Sequence, residues 1–133
     1  MEKRPMTLED SFIIQSLSDV QITADGRMIA FVVGDSFKLK GKPAHSEIWI
    51  VETDKPETAR PFTSTERSDF APRWSPDGTR LAYVAAEGGS PQLYVRWMGT
   101  GESARITGLP ESPSALAWSP DGRRIAYSNS TMT

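Results

Sequence analysis

A segment centred on an Asp-Gly pair occurs three times in the chain, and that repetition leaves few architectures open. It reads Ile22-Thr23-Ala24-Asp25-Gly26-Arg27-Met28-Ile29-Ala30-Phe31-Val32, then Trp74-Ser75-Pro76-Asp77-Gly78-Thr79-Arg80-Leu81-Ala82-Tyr83-Val84, then Trp118-Ser119-Pro120-Asp121-Gly122-Arg123-Arg124-Ile125-Ala126-Tyr127-Ser128. Asp77 follows Asp25 by 52 residues, and Asp121 follows Asp77 by 44. One four-stranded propeller blade takes about 40–50 residues. The spacing therefore predicts an all-β chain, a partial β-propeller of about two and a half blades of four-stranded antiparallel sheet.

Each repeat has a mechanical reading. Pro76 and Pro120 hold φ near the value that the second position of a type I turn requires, with Ser before and Asp after. Gly26, Gly78 and Gly122 stand where a positive φ and its attendant bulge are usual in a short hairpin. Trp74 and Trp118 end an incoming strand, and Leu81–Val84 and Ile125–Tyr127 begin an outgoing one whose apolar character is nearly continuous. Such runs suit strands covered on both faces. Ala30, Ala82 and Ala126 recur opposite the faces of Phe31, Tyr83 and Tyr127, giving one tight face and one bulky face.

Third strands are expected at Ile48–Val51 and Leu93–Val95, and short fourth strands at Arg60–Thr63 and Arg105–Thr107. Pro61 fits only an edge strand, where the outermost strand of a blade lies. The resulting division is an N-terminal segment over 1–18, blade 1 over 19–67, blade 2 over 68–111 and the first half of blade 3 over 112–133. In the N-terminal segment, Thr7-Leu8-Glu9-Asp10 reads as a capped helix start, while Phe12-Ile13-Ile14 reads equally as a strand donated to a blade.

Composition narrows the function classes. A net charge of −2 argues against a nucleic-acid binder held by electrostatics, and the absence of cysteine removes disulfides and thiolate metal sites. No apolar run reaches the roughly 18 residues of a membrane span, and the N-terminus lacks a secretory pattern. A soluble, cytoplasmic protein without nucleic-acid or membrane partners is the expectation.

The Trp-Ser-Pro-Asp-Gly-x-Arg-(Leu/Ile)-Ala-Tyr repeats resemble the TolB-like, WD-type propeller repeat. With the Thr-Leu-Glu-Asp opening, the chain resembles the N-terminal propeller portion of the prolyl oligopeptidase family of serine peptidases, especially its acylaminoacyl-peptidase and dipeptidyl-peptidase branches. The resemblance implies a substrate-filtering cap over an α/β-hydrolase domain that carries the catalytic Ser, Asp and His and hydrolyses short or acylated peptides. The alternative is a non-catalytic TolB-like propeller fragment acting as a protein-interaction module. The chain holds no Gly-x-Ser-x-Gly nucleophile elbow, so no catalytic residue is assigned, and none for a cofactor or metal. Even four blades need roughly 160 residues. A shortened product is therefore expected, or one that covers its open faces with the missing blades and hydrolase domain or by self-association.

Other motifs read as structure. Gly34-Asp35-Ser36 resembles an esterase element but suits a turn, and His45 in a polar loop has no second ligand. Lys38, Lys40 and Lys42 fit an exposed hairpin between the second and third strands of blade 1. Gly34 and Gly41-Lys42 have the wrong spacing for a phosphate loop, and Pro43 stands where Ser or Thr is required. Gly88-Gly89-Ser90-Pro91 and Gly99-Thr100-Gly101-Glu102 are tight connections, and Glu52, Asp54 and Glu57 are solvated carboxylates.

Overall fold

The computed structural model describes residues 15–35, 46–62, 68–86, 90–108 and 111–129. All regular structure among them is β, in three antiparallel sheets that do not close into a ring. The first sheet has the order β1(Gln15–Ile22), β2(Met28–Asp35), β3(Ser46–Glu52) and β4(Lys55–Pro61). The second is β5(Asp69–Trp74), β6(Arg80–Ala85), β7(Gln92–Trp97) and β8(Ser103–Arg105). The third has two strands, β9(Ser114–Trp118) and β10(Ile125–Ser128). These sheets are successive blades, each a meander from its first strand outward, with β5 contacting both β1 and β9.

β1 opens at Gln15, ahead of residue 19, because Gln15–Ser18 pair in register with Asp35–Val32 of β2. The helix or donated strand read at Thr7–Ile14 lies outside the described residues. The fourth strand of blade 1 begins earlier than the sequence suggests, at Lys55: the two-residue turn after Glu52 returns the chain at once, pairing Glu52 with Lys55. Pro61 ends this outermost strand, where a missing N–H costs no ladder bond. β8 stops at Arg105, one residue before the Ile106 N–H reaches the Leu93 carbonyl.

The core is two layers between blades. Ala30, Val32, Ile48 and Ile50 of blade 1 meet Leu81, Tyr83 and Ala85 of β6. The alternate β6 residues, Ala82 and Val84, join Leu93, Val95 and Leu116 in the second layer. Leu81 through Ala85 are fully buried, so β6 is covered on both faces as its continuous apolar run requires. The tight and bulky faces follow the sequence reading in blade 2, where Ala82 and Tyr83 are both 0% exposed, and the Tyr83 ring stacks on Tyr94 and meets Phe62 edge-on. In the third blade Tyr127 remains 40% exposed.

Each first strand carries one extra residue relative to its partner, a bulge lying between Ser18 and Gln21, between Phe70 and Arg73, and opposite Ala126–Ser128. Asp19, Ala71 and Ala115 occupy these bulges with φ of 49°, 57° and 55°. All three sit six residues before the repeat aspartate. Left-handed backbone costs a Cβ-bearing residue about 1–2 kcal/mol, so the pairing on either side imposes it. Ala115 is exposed, and its methyl group contributes little packing. Ala115→Gly is therefore expected to raise unfolding free energy by about 0.5–1 kcal/mol, the strain relief less the added chain entropy. Denaturant titration of both proteins checks this.

Candidate functional site

The repeat aspartates build three copies of one turn along the same end of the blades. Asp25 Oδ1 accepts from the Thr23 hydroxyl at 2.6 Å and the Arg27 N–H at 3.0 Å. Asp77 Oδ1 accepts from Ser75 Oγ at 2.8 Å and from the Thr79 N–H and hydroxyl at 3.0 and 2.7 Å. Asp121 Oδ1 accepts from Ser119 Oγ at 2.6 Å and the Arg123 N–H at 3.0 Å. In each turn the glycine N–H donates to the carbonyl of Thr23, Ser75 or Ser119 at 2.9 Å, and Gly26, Gly78 and Gly122 have φ of 75°, 74° and 71°. Donors aimed at a charged acceptor favour ionisation. The Thr79 backbone and side-chain donors, then Ser75, hold Asp77 down to about 2. Asp25 is lowered mainly by the Thr23 hydroxyl, and Asp121 mainly by Ser119. These carboxylates are structural clamps, as the turn reading requires, each engaged through Oδ1.

Between blades a second device repeats. The Trp74 indole N–H donates to the Gln21 carbonyl at 3.1 Å, and the Trp118 indole N–H donates to the Arg73 carbonyl at 2.9 Å. Gln21 and Arg73 hold the same position, four residues before their aspartates. Each indole is thus pinned to the first strand of the preceding blade. Arg80 answers from the other side: its guanidinium lies 4.7 Å from the Trp118 ring centre and donates to the Gly122 carbonyl at 2.6 Å. A Cβ on Gly122 would sit a tight 3.0 Å from that guanidinium nitrogen, and the φ of 71° there favours glycine. Nearer the first strands, Arg73 Nη1 is 2.9 Å from both Asp19 carboxylate oxygens, and Gln21 Nε2 donates to Asp19 Oδ1 at 2.9 Å. At the outer end, Arg96 covers the Phe62 ring at 4.3 Å and donates to the Phe62 carbonyl at 2.9 Å.

The described residues bring no catalytic constellation together, and no group of three or more His, Cys, Asp or Glu among them could hold a metal ion. Gly34 and Asp35 end β2, while Ser36, Lys38, Lys40, Lys42 and His45 lie outside the described residues. Gly99–Gly101 form the expected tight turn, with the Gly101 N–H on the Trp97 carbonyl at 2.8 Å. Asp54 and Glu57 are exposed and Glu52 is half-buried at the end of β3. A groove of about 220 Å³ opens beside β10, floored by Leu93, Val95 and Ile106 and walled by Trp118, Ile125 and Tyr127. The Asp19–Arg73–Gln21 cluster escaped the sequence reading. Its signal is the shared offset from the aspartates, but the offset holds Asp, Ala, Ala at one position and Gln, Arg, Ala at the other.

The TolB beta propeller domain family matches residues 26–132. The uncharacterized peptidase YuxL of Bacillus subtilis is 38% identical over 109 residues, which are 81% of this chain and 16% of YuxL. Dipeptidyl-peptidase 5 of Porphyromonas gingivalis is 33% identical over 89 residues, 66% of this chain and 13% of its own. A TolB homolog of Chlorobium luteolum is 39% identical over 57 residues, 43% of this chain and 13% of its own. The chain thus spans less than a fifth of these relatives. In shape it is similar to the acylaminoacyl peptidase of Pyrococcus horikoshii, with a TM-score of 0.70 at 20% identity over 87% of this chain and 17% of that one. It is also similar to the β-propeller domain of the Trilobed protease from Pyrococcus furiosus, with a TM-score of 0.68 at 23% identity over 86% and 34%.

Two predictions test the clamps. Asp77 has a depressed pKa when folded, so its charge stabilises the fold in full above about pH 4 and that stabilisation fades as the pH falls through about 2. Asp77→Asn is expected to lower Tm near neutrality, with the gap to the parent closing between pH 4 and 2, as thermal melts across that range show. Trp74→Phe keeps the apolar ring but orphans the Gln21 carbonyl. It is expected to cost about 1 kcal/mol in denaturant titration.

Proposed function

Because the chain belongs to the TolB beta propeller domain family, we propose that it forms part of the propeller cap of a serine peptidase acting on short or acylated peptides. The observation that carries this reading is the similarity of 109 residues, 81% of the chain, to a peptidase of which they form only 16%. Dipeptidyl-peptidase 5 supports the same class. On this reading the blades contribute walls, with no reacting group. Their joints keep a ring rigid enough to exclude large substrates, and the hydrolase part supplies the Ser, His and Asp. The polar trio Asp19, Gln21 and Arg73, at the first strands of adjoining blades, lies where such a ring presents its inner surface. A TolB-like interaction module is the second reading, favoured by the similarity to the Chlorobium TolB homolog.

The purified 133-residue chain is expected to leave acyl-peptide and dipeptidyl chromogenic substrates uncleaved. Turnover by this chain alone at enzymatic rates overturns the cap reading. The reading frame beyond Thr133 separates the two functions. Further blades followed by a Gly-x-Ser-x-Gly segment are expected for the cap, whereas a stop after further blades alone assigns the interaction module.

A further inference from the structure

Each repeat turn sets an aspartate directly before a glycine: Asp25-Gly26, Asp77-Gly78 and Asp121-Gly122. That dipeptide can rewrite its own main chain. The glycine nitrogen attacks the aspartate side-chain carbon Cγ, and an N–Cγ bond forms. One carboxyl oxygen leaves as water, carrying its own proton and that of the amide, and a five-membered succinimide results. Water then breaks one of the two ring C–N bonds. Cleavage at Cγ restores aspartate. Cleavage at the backbone carbonyl leaves isoaspartate, whose main chain runs through Cβ and Cγ and whose former backbone carbonyl is a free carboxylate. The water lost in the first step returns in the second, so nothing else is consumed. Glycine suits the reaction because it has no Cβ to hinder the approach of its nitrogen. A carboxylate held ionised suits it badly, because the departing oxygen needs a proton.

All three turns resist the attack in one way. Each glycine N–H is donated at 2.9 Å, and each Oδ1 is held by neighbouring donors, so turning Cγ toward the nitrogen breaks these bonds. Beyond that the turns differ. Asp77 has a third donor, the Thr79 hydroxyl at 2.7 Å, where the other repeats hold Arg27 and Arg123. Pro76 and Pro120 lock φ ahead of their aspartates, whereas Ala24 leaves it free to turn. Gly122 is buried, and the Arg80 guanidinium grips its carbonyl at 2.6 Å. A Cβ on Gly78 would meet the Thr23 methyl group at 3.4 Å, but one on Gly26 would meet nothing within 4 Å. The Gly26 carbonyl accepts from the Thr53 hydroxyl of its own sheet. The Asp25 side chain is 60% exposed, and Arg27 Nε comes only to 3.9 Å from its Oδ2.

We propose that Asp25 is a modification site, the position at which the folded chain converts to isoaspartate, while the turns at Asp77 and Asp121 protect theirs. The missing proline, the missing third donor and the open space at Gly26 act together there. The product adds a methylene to the main chain between Thr23 and Met28, whose mutual bonds close the turn: Thr23 N–H to the Met28 carbonyl at 2.9 Å, and Met28 N–H to the Thr23 hydroxyl at 3.1 Å. It also leaves a second orientation for the negative charge, on a carboxylate that no longer sits where the Thr23 hydroxyl and Arg27 N–H point.

The test is to age the 133-residue chain in neutral buffer, digest it, and locate isoaspartate by electron-transfer fragmentation in a mass spectrometer. In the folded chain isoaspartate is expected first at Asp25, about tenfold faster than at Asp77, the rate equivalent of one hydrogen bond to a charged acceptor. In denaturant, where the turns are gone, the three sites are expected to convert at similar rates. Two variants at exposed positions change the turns singly, with circular dichroism confirming an unchanged fold. Ala24→Pro supplies the missing lock and is expected to slow conversion at Asp25. Thr79→Val removes only the hydroxyl donor and is expected to speed conversion at Asp77 about tenfold. Equal conversion at the three sites of the folded chain overturns the inference, as does first appearance at Asp77 or Asp121, or none at all. A preference for Asp25 that persists in denaturant, or a folded variant whose rate does not move, overturns it too.

Discussion

A sheet with two apolar faces needs a neighbour on each side, and the second blade shows what that demand builds. Alternate residues of β6 enter two separate cores: Leu81, Tyr83 and Ala85 toward blade 1, Ala82 and Val84 toward blade 3. Neither layer forms from local contacts alone, since each draws on residues far apart in sequence. The gain from removing such side chains from water, about 1.5–3 kcal/mol for a fully buried aliphatic or aromatic group, arrives only when blades stack. On the other face of the first sheet Val33 is buried and Phe31 and Trp49 are half-buried.

Apolar packing by itself does not fix how blades are set against each other, and the polar joints supply that alignment. A buried indole N–H without an acceptor is costly, so Trp74 and Trp118 hold each blade where a first-strand carbonyl meets the ring nitrogen. Arg80 completes the seam by covering Trp118 and reaching the Gly122 turn. The turn must be rigid for that carbonyl to wait in place. The Asp121 clamp and the positive φ of Gly122 make it so. Turn chemistry, indole placement and core packing therefore depend on one another.

Much of this was written in short-range sequence. The Ser-Pro-Asp-Gly turns, the tryptophans at strand ends and the continuous apolar run of β6 each have a local cause, and each lies where that cause puts it, whereas the matching run in β10 leaves Tyr127 exposed. What sequence hid depends on pairing across strands or blades. Of the bulge residues Asp19, Ala71 and Ala115, the two alanines have no preference for left-handed backbone, and the tolerance of aspartate for it at one repeat alone does not announce a shared bulge. The Arg73–Asp19 pair spans 54 residues, and neither side chain stands out from the solvated charges around it. The early start of β4 follows from a tight reversal at Glu52–Lys55 that lacks glycine or proline at its centre. The peptidase relationship was legible only through likeness to a family, because blade chemistry is the same in propellers of unrelated purpose.

The direction of the joints has a consequence for how such proteins enlarge and diversify. The Trp74 and Trp118 indoles reach backward and the Arg80 guanidinium reaches forward, so the joints have a fixed polarity, like a tile with a tongue and a groove. Gene duplication of a whole unit such as blade 2, which carries both fittings, takes them to the new border. A crossover that joins halves of two different units preserves them only when it falls at the same phase of the repeat. Ring size is then free to change by integers, while the phase at which copies are cut and joined is held constant by a single hydrogen bond geometry.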